Sequence, residues 1–131
     1  MANNNIEPGQ SYSDSVVVSD SNIAMALNSG GLAVFSTPSM IALMECAAYK
    51  CIQDSLDSGQ TSVGITVNIE HLAASPVGAN ITATATVESV DGRKVSFNVS
   101  ATDGAGEIGR GTHTRAIVDI GRFMSKLQVR A

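Results

Sequence analysis

From Thr37 to Leu56 the chain reads TPSMIALMECAAYKCIQDSL, apolar with hardly a break, and this stretch constrains the fold more than any other. Thr37 before Pro38 reads as a helix start, with the threonine hydroxyl as the cap and the proline where its missing N–H costs nothing. Gly59 is the stop, so the pattern predicts a helix over about residues 38–57. Lys50 and Asp54 fall on one side, where solvated charges belong. Glu45 falls opposite them, at the centre of an arc formed by Pro38, Ile41, Ala42, Ala48, Tyr49, Ile52 and Leu56. A helix so apolar must be wrapped by other elements. A carboxylate inside that arc is costly unless it has a partner or a chemical role.

From Ser62 onward the period changes from helical to two. Val63, Ile65, Val67 and Ile69 alternate with Gly64, Thr66, Asn68 and Glu70, which predicts a strand with one apolar face. AASPVGA reads as a turn, NITATATVESV and RKVSFNVSATD as two further strands joined at Asp91-Gly92, and IGRGTHTRAIVDI as a last long strand after a second turn. Upstream, SYSDSVVVSD reads as a short strand and SNIAMALNSGG as a short helix ended by Gly30-Gly31, with residues 1–10 loosely ordered. The tail GRFMSKLQVRA is short and mildly basic. The order is strand, long helix, then four strands, the last three antiparallel neighbours. One long buried helix on a curved antiparallel sheet of about five strands is the hotdog arrangement, in the α+β class. Such a sheet covers the helix on one side only, which predicts at least a homodimer.

The 131 residues fit one domain, 1–131, large enough for a proper core. A formal charge of −4 argues against general nucleic-acid binding. No apolar run approaches the ~20 residues of a membrane span, and MANNNIEPGQSYSDS lacks the features of a signal peptide. Cys46 and Cys51 lie about 140° apart on one helix, so no bridge between them is expected; a reduced, cytoplasmic protein fits. The sequons at Asn80 and Asn98 are then chance matches.

His71 has the same parity as the apolar strand residues, so it is expected on the face that meets the helix, approaching Glu45 from the other side of one interface. A histidine and a carboxylate in an apolar seam form the core of many acid–base sites; the alternative is a buried structural pair. Thr37 lies eight residues, about 12 Å of helix rise, from Glu45, and an imidazole between them could bond toward both. Its alternative role is the helix cap. Gly104, Gly106 and Gly109 fit a dinucleotide fingerprint, but a strand-like segment follows where a helix is required, so they read as turn glycines. His113, of like parity with Arg115 on the last strand, reads as an exposed strand histidine, and Arg115 as a residue that could meet a negative group. The cysteines lack a metal-ligand spacing with the histidines, and no metal or cofactor is expected.

STPSMIALMECAAYKC, SVGITVNIEHLAASPVGANITATATVESVDGRKVSFNVSA and GEIGRGTHTRAIVD together resemble the hotdog thioesterases of the fluoroacetyl-CoA thioesterase type, over about Ser11 to Lys126. The resemblance implies hydrolysis of an acyl-CoA thioester to a carboxylate and free CoA. It implies Thr37, Glu45 and His71 as the catalytic set, and Gly64, His71 and Arg115 as residues lining the substrate site. The fluoroacetyl-specific enzyme carries lid phenylalanines upstream of the helix. Here the stretch is LNSGGLAVF, with Phe35 its one aromatic, which implies a general short-chain acyl-CoA. The alternative function is a non-catalytic hotdog module that binds an acyl-CoA or related metabolite.

Overall fold

The computed structural model describes residues 5–130. Strand β1 (Ser11–Val17) precedes helix α1 (Thr37–Gln53), and four strands follow: β2 (Gln60–His71), β3 (Asn80–Asp91), β4 (Lys94–Asp103) and β5 (Gly106–Asp119). A second helix, α2 (Ile120–Arg130), ends the described chain. All strand pairings are antiparallel, in the order β1-β3-β4-β5-β2. This is the expected hotdog fold.

Alternation makes the sheet one-sided. Ile81, Ala83, Ala85 and Val87 of β3, with Val95, Phe97, Val99 and Ala101 of β4, are buried toward α1. The alanines matter as much as the larger residues: small side chains here, and Ala47 and Ala48 on the helix, allow close approach. Met40, Met44 and Ile52 fill the remaining volume. Two tight hairpins set the register. Asp91 pairs with Lys94 across Gly92, whose φ is +61°, and Asp103 pairs with Gly106 while its carboxylate accepts from the Ala105 and Gly106 amides. Bulges after Val87 and Ala101 help the sheet curl.

Several expectations are corrected. α1 ends at Gln53, because the Gln53 side chain bonds Gln60 and Thr61 at the start of β2 and the chain tightens into turns after Asp54. Residues 21–31 form turns. Their amides bond across to Leu32 and Val34, Asn28 takes a positive φ of 55°, and beyond the buried Ile23 and Ala24 the apolar Met25 and Leu27 stay exposed, so little packing offsets helix nucleation. Residues 1–4 lie outside the described residues, but the rest of the expected loose start is fastened. Ile6 is in the core, Gly9 and Gln10 bond the Val87 backbone, and the Gln10 side chain bonds the Cys51 carbonyl. The tail beyond β5 is helical, with Ile120, Phe123, Met124 and Leu127 on one side.

Strand β2 departs from simple alternation. Gly64 pairs with Arg115 and Thr66 with Thr114, so Ile65 is an extra residue. Before this bulge Gln60 and Ser62 point inward; after it, Val67 pairs with the buried His113. Val63 therefore lies on the opposite face from Val67 and Ile69, and the expected single apolar face is two half-faces. His71 keeps its inward direction.

Candidate active site

Two clusters along α1 contain the residues singled out in the sequence. The first is at the helix N-terminus. Ser36, not Thr37, is the cap: its hydroxyl accepts from the Ser39 amide, and Pro38 occupies the first turn. The Thr37 side chain is thereby released, and its Oγ1 lies 2.8 Å from Nδ1 of His71 at the end of β2. With the imidazole proton on Nε2, the hydroxyl donates to Nδ1. Among the described residues, His71 Nε2 is buried and has no hydrogen-bond partner. Burial holds the His71 ring below the ordinary imidazole value; the nearby Ala73 backbone offsets this in part without reaching hydrogen-bond geometry. Thr37 and His71 open on a cleft of about 280 Å³ walled by Val34, Phe35, Leu72 and Ala74. Phe35 is 1% exposed, a core residue.

The second cluster lies two helical turns on. Glu45 Oε2 is 3.7 Å from Arg115 Nη1, an ion pair just beyond hydrogen-bond length. The Arg115 side chain is 8% exposed, while that of Glu45 is 41% exposed. Arg115 is locked from behind: Nε donates to the Ser62 hydroxyl at 2.8 Å and Nη2 to the Ser62 carbonyl at 2.9 Å. Its plane lies 5.8 Å from the Tyr49 ring centre. His113 completes the cluster. Its Nδ1–H donates to the Thr66 carbonyl at 2.8 Å, leaving Nε2 to accept from Arg115 Nη1 at 3.3 Å. Burial, mainly, holds this ring below its ordinary value, and the adjacent guanidinium acts the same way. A Cβ on Gly64 would stand 2.6 Å from Glu45 Oε2, so glycine is what lets the carboxylate approach the strand.

Thr37 and His71 are thus brought together, and so are Glu45, Gly64 and Arg115. Glu45 and His71 are not: within one protomer the carboxylate pairs with Arg115, about 12 Å of helix rise from Thr37. The expectation of an exposed His113 is corrected, since it is 1% exposed and stacked on Phe97 at 6.0 Å. Sequence reading missed Ser62 and Ser36. The one available signal for Ser62 was a polar residue opening an apolar strand. The cysteines are free, and among the described residues no group of His, Cys, Asp and Glu has the geometry to hold a metal ion.

A hydroxyl bonded to a histidine at a helix N-terminus, with a held carboxylate on the same helix, suits acyl transfer. The family of fluoroacetyl-CoA-specific thioesterases matches residues 18–120. The chain belongs to that family. This thioesterase is 42% identical over 95 residues, 72% of its length and 68% of the relative's, to the fluoroacetyl-CoA thioesterase of Streptantibioticus cattleyicolor. The solved structure of the fluoroacetyl-CoA thioesterase FlK superposes with a TM-score of 0.90 at 33% identity, covering 96% of this chain and 98% of that one. A Thermus thermophilus thioesterase superfamily member superposes at 0.87 with 25% identity, covering 94% and 91%. The thioesterase described here is a thioester hydrolase, and no described helix is long and apolar enough to cross a membrane.

Proposed function

We propose that the protein hydrolyses short-chain acyl-CoA thioesters at a site shared between two protomers, with Thr37 and His71 from one and Glu45 of the partner subunit. The observation that carries this reading is the buried Nε2 of His71, unpartnered among the described residues. A buried N–H without an acceptor is expensive, and when the Thr37 hydroxyl donates to Nδ1 the ring proton sits on Nε2. Glu45, on the same apolar arc, has a side chain 41% exposed and so open to a partner subunit. Antiparallel packing of two α1 helices about an axis near Ala42, itself exposed, would bring each Glu45 to the other helix's start. The free edge of β2, with Ile65 and Val67 exposed beside it, offers further surface for such a contact. The two free thiols suit a reducing cytoplasm.

In the reaction, Thr37 Oγ1 adds to the thioester carbonyl as His71 Nδ1 takes its proton, and the partner's Glu45 stabilises the imidazolium through Nε2–H. The C–S bond breaks, and the CoA thiolate leaves with a proton from His71. Water, deprotonated by the same ring, then adds to the Thr37 ester carbonyl, and as the C–O bond breaks His71 returns the proton to Thr37 Oγ1 and the free acid leaves. The Thr37 amide, at the positive end of the α1 dipole, suits the carbonyl oxygen as charge develops on it; Pro38 has no N–H, and the Ser39 and Met40 amides are bound to Ser36. Acetyl-CoA and longer acyl-CoA substrates test the chain-length range directly.

The shared site is tested by mixing two inactive variants, Thr37→Ala and Glu45→Gln. Random exchange makes half the dimers mixed with one intact site each, so about a quarter of wild-type activity returns. No recovery after proven subunit exchange would place the whole set within one chain.

A further inference from the structure

The first turns of α2 stand off the end of β5 and leave a cleft of about 230 Å³. Arg93, Arg122 and Lys126 line it, with Ile117 and Phe123 as an apolar floor and Asp119 as its carboxylate. Asp119 pairs with Arg93 at 3.6 Å, so the lining is net positive. Elsewhere the described cations are matched: Lys50 with Asp14, Arg110 with Glu107, Arg115 with Glu45. Among the described residues Lys94, Arg122, Lys126 and Arg130 have no ion-pair partner, and all four lie on α2 or beside Arg93. A chain with a formal charge of −4 has gathered its uncompensated positive charge at one end. An aromatic ring beside a cationic rim is the chemistry of a phosphorylated nucleoside: a flat base to stack and a dianion to neutralise.

We propose that this cleft takes the adenosine 3′,5′-bisphosphate end of the CoA substrate, with the adenine against Phe123 and the phosphate among Arg93, Arg122 and Lys126. The proposal rests on acyl-CoA being the substrate. Ile117 is two residues beyond Arg115 on β5, about 7 Å along the strand, so the cleft and the Glu45–Arg115 cluster draw on the same strand. The pantetheine arm would run from it toward the thioester, and the protomer that supplies Glu45 would also hold the nucleotide. Acyl-CoA would be told from smaller thioesters by its far end.

The Arg122→Gln/Lys126→Gln double variant tests this with two substrates. Its KM for acetyl-CoA should rise about tenfold, with kcat and the KM for acetyl-pantetheine unchanged. An unchanged KM for acetyl-CoA, or an equal rise for both substrates, overturns the proposal. Calorimetry with adenosine 3′,5′-bisphosphate is independent of hydrolysis. The wild type should bind it with an affinity that falls with salt, the double variant should lose most of that affinity, and Phe123→Leu should weaken it while leaving binding of inorganic phosphate intact. Absence of binding by the wild type, or equal binding by the double variant, overturns it too. If acetyl-CoA is not hydrolysed at all, the substrate reading fails, and calorimetry alone decides the cleft.

Discussion

The Thr37 hydroxyl lies 2.8 Å from His71 Nδ1 while Ser36, one residue earlier, caps the helix. The two roles that a threonine before a helix can play are therefore divided between neighbours, and substitution separates them. Thr37→Ala should abolish nearly all turnover with little change in melting temperature, whereas Ser36→Ala should cost about 1 kcal/mol of stability through the lost cap. Activity assays and thermal melts on both variants check this. A normal kcat in Thr37→Ala would remove the residue from the reaction.

If Thr37 attacks, it carries the acyl group. Rapid quenching with a slowly hydrolysed acyl-CoA should add the acyl mass to the peptide containing Thr37, and Thr37→Ser should retain much of the turnover. An unmodified peptide during proven turnover would favour water as the attacking group.

The pH dependence follows from the two histidines, both held below their ordinary value of 6.5 chiefly by burial. The unfolded chain protonates first as pH falls, so their contribution to stability is full above about 6.5 and is lost as pH drops from there through the lowered folded values. In the shared site the partner's Glu45 opposes this burial effect at His71, so Glu45→Gln should lower the pH at which the His71 ring titrates, as followed by NMR. An unmoved His71 titration in that variant would take the carboxylate away from the ring.

Gly64→Ala should act on the site more than on the fold. The new Cβ meets Glu45 Oε2 at 2.6 Å and His113 Cε1 at 3.4 Å, and the carboxylate is the end of a flexible side chain that can move away. A displaced Glu45 should lower kcat roughly tenfold or more with a modest change in melting temperature. Unchanged kinetics would mean that the placement of the Glu45 carboxylate against β2 is unimportant.

Arg115→Met should be a stability variant as well as a catalytic one. It leaves the Ser62 hydroxyl and carbonyl and His113 Nε2 without their donor. The expected cost is about 3 kcal/mol in urea unfolding, with the Glu45 ion pair adding little because that carboxylate is 41% exposed. Arg115→Lys should recover only part of the loss, since an ammonium lacks the guanidinium fork. A loss under about 0.5 kcal/mol would show that water replaces the guanidinium at no cost.

The amphipathic tail illustrates a local signal that is easily passed over. Ile120, Phe123, Met124 and Leu127 have helical spacing, yet they read as a mildly basic tail because nothing else in so short a segment marks a helix.

By itself the sequence determined α1, the five strands and their order, though not the turns at 21–31 or the helix after β5. The unbroken apolar run, the switch to period two and the turn at Asp91-Gly92 are local, written in side-chain periodicity and backbone preference. Its motifs also singled out Thr37, Glu45, Gly64, His71 and Arg115 as residues worth following. Only the tertiary structure decided how they pair. Thr37 meets His71 across 34 residues of chain, and Arg115 reaches Ser62 across 53. The extra residue at Ile65 reversed the parity of β2, which changed the faces assigned to the first half of that strand. His113 was buried for the same kind of reason: its alternation is readable locally, but whether its face meets core or solvent depends on what packs there. Pairing and burial are set by distant parts of the chain, and no local pattern carries them.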